Sequence, residues 1–256
     1  MNHPRRRATL TCLAAGLLTA ALPAVSAAAY PDKPIRLVVP FPPGQGADIL
    51  ARLIGQHLAA ALGQPIVVEN KVGAGGIIGT AFAAKAAPDG YTLYMGSSGP
   101  LAIGPHVYKA VGFDTLKDFA PISNIASVTQ VLVTAPASQL ASAKDVVERA
   151  RAQPGMVPFG SAGSGTTSHL TMELFTQMSG ISLSHVPYKG SSTSMIDVMA
   201  GRVPLMFDSL PGVLTNVKSG SLRAIAVASA QRDPLLPNVP TVAESGVPGF
   251  ATSGWI

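Results

Sequence analysis

The chain has 256 residues, 47% apolar and 12% charged, with 26 glycines, 22 prolines and a formal net charge of +5. This balance excludes a disordered polyelectrolyte and a coiled coil, and the length suffices for one or two packed domains. A single cysteine, Cys12, excludes a disulfide framework and any multi-cysteine zinc or iron–sulfur site.

Residues 1–29 read as a secretory signal. Arg5, Arg6 and Arg7 form a basic start, Ala8 to Leu22 an apolar run, and Val25-Ser26-Ala27 and Ala27-Ala28-Ala29 offer small-residue cleavage sites. The run is short and rich in Ala and Thr for a membrane span, so we expect export to the periplasm with cleavage near Ala29. Cys12 leaves with the signal, and three arginines leave without any acid, so the +5 falls to +2. Thr9-Leu10-Thr11 lacks the small apolar residue that acylation of Cys12 would need.

After the signal, apolar runs alternate with helical patterns. Ile35 to Val39 reads as a buried strand stopped by Pro40, and Asp48 is placed to cap a helix to about Leu62, with Ile49, Leu50, Leu53, Ile54, His57 and Leu58 at helical spacing. Ile66 to Val68 is a second strand, Gly73 to Gly76 a loop leading to a helix through Ala86, and Tyr91 to Met95 a third strand. A second set follows with strands at Val128–Thr134, Val157–Phe159, Leu183–Val186, Pro204–Phe207 and Leu222–Ala228. Helices are expected between them at Ala141–Ala152, Thr167–Met178, Ser191–Ala200 and Pro211–Lys218. The alternation predicts α/β architecture, with mostly parallel sheets flanked by helices in two adjoining lobes. The sequence stops at Gly254-Trp255-Ile256, inside a strand pattern, which reads as a truncation.

Three loops that follow strands carry Gly and Ser: Pro40 to Asp48, Gly96 to Gly99, and Gly160 to His169. Open parallel sheets bind ligands at strand C-terminal ends, where backbone N–H groups and helix dipoles favour an anion. None of the loops is a nucleotide fingerprint: Gly44-Gln45-Gly46 lacks its third glycine, and no Gly-Lys-Ser/Thr occurs, so no cofactor is expected. The histidines show no metal-ligand spacing. Ser161 with His185 or His169, and Asp208 nearby, keeps a secreted serine hydrolase open as an alternative, although no Gly-x-Ser-x-Gly elbow is present. Tyr188 and Asp208 directly follow strands and can reach the same cleft. No basic, aromatic-interleaved stretch suggests a nucleic-acid partner.

Several segments carry a resemblance. Val39-Pro40-Phe41-Pro42-Pro43-Gly44, Gly73-Ala74-Gly75-Gly76, Ala87-Pro88-Asp89-Gly90-Tyr91, Gly165-Thr166-Thr167-Ser168-His169-Leu170, Val186-Pro187-Tyr188-Lys189-Gly190 and Met206-Phe207-Asp208-Ser209 resemble the tripartite tricarboxylate transporter receptors, or Bug proteins. The resemblance implies a two-lobed periplasmic binding protein of type II-like form that is monomeric and not an enzyme. It would close on a small organic carboxylate and deliver it to membrane permease subunits. It implies a first lobe over residues 30–124, a second over 125–250, and the start of a return crossing at 251–256, with further first-lobe helices that the sequence does not contain. It also implies ligand contacts from Phe41, Gly44, Gln45, Gly46 and Asp48, and from Ser97 and Ser98. On the facing side it implies Ala162, Gly163, Thr166, Thr167, Tyr188, Asp208 and Ser209. Gln45, Ala47, Ile77 and Pro100 depart from the residues usual at those family positions.

Overall fold

A computed structural model of the chain describes residues 30–256, so the signal-sequence reading of residues 1–29 and Cys12 lies outside the described residues. The first sheet comprises β1 (Ile35–Val39), β2 (Ile66–Asn70) and β3 (Thr92–Tyr94), all parallel in the order β2-β1-β3. β1 is central, and Ile35, Val38 and Val39 are fully buried, as expected of an uninterrupted apolar run in a parallel sheet.

Helix α1 (Gly46–Leu62) connects β1 to β2, and its packing differs from the sequence expectation. Gly46, Ala47, Asp48, Ala51 and Gly55 are buried, whereas Ile49 and Leu53 are 39% and 50% exposed. The small-residue face turns inward because it lets the helix lie close to the sheet. A Cβ on Gly55 would sit 3.4 Å from Ile66 Cγ2. Asp48 is also not the cap: Gln45 holds that position and Asp48 lies in the first turn. After β2, a short turn at Ala74–Gly76 enters α2 (Ile77–Ala84). Past β3, a π-helical turn at Gly99–Ile103 runs into the four-residue α3 (Gly104–Val107), where Pro100 and Pro105 occupy first-turn positions that need no N–H.

The second sheet has the path β6-β5-β7-β4-β8, built from β4 (Ser127–Thr134), β5 (Pro158–Ser161), β6 (Ser184–Pro187), β7 (Leu205–Ser209) and β8 (Arg223–Val227). β5 is parallel to β6 and β7, while β4 runs antiparallel to β7 and β8. Four helices accompany these strands: α4 (Ala143–Ala152), α5 (Thr167–Ser179), α6 (Ser191–Met199) and α7 (Leu210–Lys218). α4 starts at Ala143 because Ser142 and Asp145 form a reciprocal capping box. Apolar clusters fill both faces of this sheet, one of them around Phe159, Phe175, Phe207 and Phe250. Truncating any of these rings to Ala costs about 3–5 kcal/mol.

Two antiparallel strands bridge the lobes. β9 (Ser253–Trp255) pairs with the start of β4, Ser127 opposite Trp255, and Ile256 packs onto the first-lobe core with Ile66, Val68 and Leu93. The C-terminal end of β7 and the start of antiparallel β4 thus border the same cleft, together with the loops that follow β1, β3 and β5.

Candidate ligand-binding site

Two loops, each running from a strand into a long helix, form the facing walls of the cleft. In the first lobe, the chain from Pro40 to Gln45 is held by Asp48, which is 2% exposed. Its carboxylate accepts the Gly44 N–H at 3.0 Å, Arg52 Nε at 2.9 Å and Nη2 at 3.0 Å, and Asn70 Nδ2 at 2.9 Å. Asn70 Nδ2 also donates to the Phe41 carbonyl at 2.8 Å. Burial alone would raise the Asp48 pKa, but these donors hold it below the usual carboxylate range. With every lone-pair direction engaged, Asp48 shapes the loop. The first bond within α1 runs from Ile49 N–H to Gln45 O, which leaves the N–H groups of Gly46 and Ala47 without intrahelical partners.

The second-lobe loop, Ser161 to Thr166, is held without any charge. Ser161 Oγ accepts the Gly163 N–H at 3.0 Å, Ser168 Oγ accepts the Ala162 N–H at 3.0 Å, and His169 Nδ1 accepts the Gly165 N–H at 3.2 Å. Thr166 Oγ1 donates back to the Gly163 carbonyl at 2.6 Å. The N–H groups of Ala162, Gly163, Gly165 and Thr166 are thus consumed. The donors left for a ligand are the first N–H groups of α5, at Thr167 and Ser168, and the Thr167 hydroxyl. Gly163 has φ +124, and a Cβ there would lie 3.1 Å from the Tyr188 carbonyl and 3.6 Å from Gly75 of the other lobe, so only glycine fits.

Between the loops lies a cavity of about 470 Å3, a volume that includes the solvent at its mouth. Phe41, Gln45, Ser97 and Ser98 line it from the first lobe, and Ala162, Thr166, Thr167, Asp208 and Ser209 from the second. Gly44, Gly46, Asp48, Gly163 and Tyr188 are not part of this lining. Tyr188 turns away, donating its hydroxyl to Asp197 Oδ2 at 2.6 Å. The bridging strands add Val128, Gln130, Gly254, Trp255 and Ile256, which no local motif singles out. The lobes touch across the cleft: Ser98 Oγ lies 2.9 Å from Thr167 Oγ1, Tyr108 Oη donates to Ser164 O at 2.9 Å, and the Ser191 N–H donates to Gln45 Oε1 at 3.1 Å.

The lining holds no Lys or Arg, and Asp208 is its one ionisable side chain. Asp208 is 3% exposed, and its Oδ2 finds no hydrogen-bond partner among the described residues. Burial pushes its carboxyl up to about 6, against the lowering influence of the neighbouring Ser191 and Ser209 groups. The cavity thus combines two helix N-termini, several hydroxyls and one acid that titrates readily, a set suited to holding a compact anion through dipoles.

Ser161 and His185 do meet, with Oγ 2.6 Å from Nε2. Ser161 is fully buried, already holds the Gly163 N–H, and lies outside the cavity lining. No substrate carbonyl can reach its hydroxyl in this geometry.

The sequence profile described as "Tripartite tricarboxylate transporter family receptor" matches residues 50–256. The chain belongs to this receptor family. Protein BugT of Bordetella pertussis (strain Tohama I) is 43% identical over 232 residues, spanning 90% of this chain and 71% of that protein. Among solved structures, R. palustris Rpa4515 with adipate is 39% identical with TM-score 0.86, covering 88% of this receptor and 76% of that chain. The periplasmic binding protein BugD is 34% identical with TM-score 0.84, covering 88% and 75%. MatC from Rhodopseudomonas palustris with bound malate is 29% identical with TM-score 0.83, covering 88% and 77%. The receptor therefore has the fold of the periplasmic solute-binding proteins, a binding family and not an enzymatic one.

Proposed function

We propose that this receptor captures a small organic carboxylate between its lobes in the periplasm and hands it to the permease subunits of a tripartite transporter. The observation that carries the reading is the pair of helix N-termini, α1 and α5, which meet across a cavity with no cationic lining. Such dipoles hold a carboxylate firmly enough to favour the closed form and weakly enough to let it reopen. Relatives solved with adipate and malate support this ligand class. In this reading residues 30–124 and 125–250 are the two lobes, residues 251–256 begin the return crossing, and the signal is removed near Ala29. Gln45, Ser97, Ser98, Thr166 and Thr167 contact the ligand, with Phe41, Ala162, Asp208 and Ser209 shaping its surroundings. Gly44, Gly46, Asp48, Gly163 and Tyr188 act from behind by fixing the loops.

The test is thermal shift and calorimetry of the purified chain against di- and tricarboxylates, aromatic acids, acidic amino acids and neutral amides. One or more carboxylates should stabilise the chain at one-to-one stoichiometry while amides do not. No stabilisation by any carboxylate, or turnover of one into a product, would contradict the proposal.

A further inference from the structure

The second-lobe loop rests on two imidazoles. His169 sits in the first turn of α5, and His185 on β6 faces it, with ring centroids 3.9 Å apart and planes 16° from parallel. Phe159 also packs against His185, with ring centroids 4.9 Å apart and planes 20° from parallel. Each histidine holds the loop at a different point. His169 Nδ1 takes the Gly165 N–H, so this nitrogen carries a lone pair and the proton belongs on Nε2, which lies 3.4 Å from Glu173 Oε1. His185 Nε2 pairs with Ser161 Oγ, which in turn takes the Gly163 N–H.

We propose that His169 and His185 are positioning residues that keep the Ser161–Thr166 loop in its binding shape only while both are neutral, so that acid strong enough to protonate either ring releases the ligand. The release half of this rests on the receptor reading above; the loop half does not. A protonated His169 would point an N–H at the Gly165 N–H and break that contact. A protonated His185 would have to donate to Ser161 Oγ, turning the hydroxyl proton into a fully buried site where no third partner exists among the described residues. Stacking also forbids both rings from carrying charge together.

The surroundings agree with neutrality. Burial lowers the pKa of His169, with Glu173 pulling the other way. Burial, then the neighbouring His169, brings His185 down to about 4. Glu173 on α5 and the opposite imidazole are the titratable groups acting on the pair. β5 contributes only Phe159 and the Ser161 hydroxyl to it.

The experiment is imidazole and amide 15N NMR on the labelled chain without ligand, from pH 7.5 to 4. At pH 5.5, where an ordinary histidine is about nine-tenths charged, the His185 ring should remain neutral, and His169 should be less charged than an ordinary histidine, its neutral form being the Nε2–H tautomer. The Gly163 and Gly165 amide signals should move with the same midpoints as the rings. Histidines titrating near 6.5 while those amides stay fixed would overturn the proposal. The variant H169N/H185Q replaces Nδ1 and Nε2 by uncharged acceptors in nearly the same places. If adipate or malate binds the parent chain, the ratio of parent to double-variant affinity, in which the ligand's own protonation cancels, should fall at least tenfold between pH 6.5 and 4. The same acid loss in the double variant would overturn the release half. Absence of binding by any carboxylate at any pH would count against the receptor reading, while the ligand-free titration still decides the loop half.

Discussion

The two loops facing each other across the cleft occupy equivalent places, yet they are fixed by different chemistry. The first-lobe loop hangs on an ionised carboxylate with Arg52, Asn70 and the Gly44 N–H around it. The second-lobe loop hangs on hydroxyls and neutral imidazoles. The difference shows that a helix N-terminus can be aimed by either device, and that the choice sets which solution condition undoes it. An ion pair at a partly exposed arginine responds to removal of its acid, whereas a neutral imidazole network responds to protons.

Of substitutions within the two loops, Asp48→Ala should have the largest effect, because it strands the Gly44 N–H and leaves Asn70 and Arg52 without their shared acceptor. Because Arg52 is about half exposed, water recovers part of the loss, and we expect about 2–3 kcal/mol of destabilisation, read as a shift in the urea midpoint. Ser161→Ala should cost somewhat less, about 1–3 kcal/mol, because the Gly163 N–H and His185 each lose one neutral partner. Its signature should be local, with faster amide exchange in residues 161–166 and little change in residues 41–48.

The pH dependence separates the loops in the same way. The histidines' folded pKa values are depressed, so their contribution is full above about 6.5 and fades as pH falls toward the His185 value of about 4. Asp48 is also depressed, so its contribution is full above 3.8 and is lost only below that. At pH 5 the second-lobe loop should therefore show lower protection factors than at pH 7, with the slower intrinsic exchange in acid divided out, while the first-lobe loop does not. Asp208 acts oppositely: its raised pKa gives a contribution present below 3.8 that is lost as pH rises through about 6. Local amide exchange, unlike a global melting curve, keeps these opposed effects apart. The smallest effect belongs to Tyr108→Phe, which removes one solvent-exposed contact between the lobes. It should weaken binding severalfold at most, equivalent to about 0.5–1 kcal/mol, with the melting temperature unchanged.

Several strands were legible because an apolar run is ended by Pro or Gly, as at Val39-Pro40 and Ser161-Ala162-Gly163. The direction of β4 was not, since Val128 to Thr134 reads the same whichever way it pairs. Nor was the inward face of α1, where small residues outcompete Ile49 and Leu53 because closeness to the sheet decides the packing. At the site, loops after strands pointed to Gln45, Ser97, Ser98 and Thr167, but Trp255 and Ile256 reach the cavity only through the path of the bridging strands. The role of Asp48 had a readable signal in the i,i+4 pair with Arg52. The stacking of His169 on His185 joins a helix to the strand that follows it, and no short spacing in the sequence marks the pair.

The central claim is that one ligand touches both lobes at once through these two loops. Hydrogen–deuterium exchange of the chain with and without a saturating carboxylate chosen by calorimetry tests it most directly. New protection is expected in both residues 41–48 and residues 161–168, and none around the separate surface cavity lined by Ser138, Arg149 and Met156. Protection confined to one lobe, or appearing at that second cavity, would contradict it.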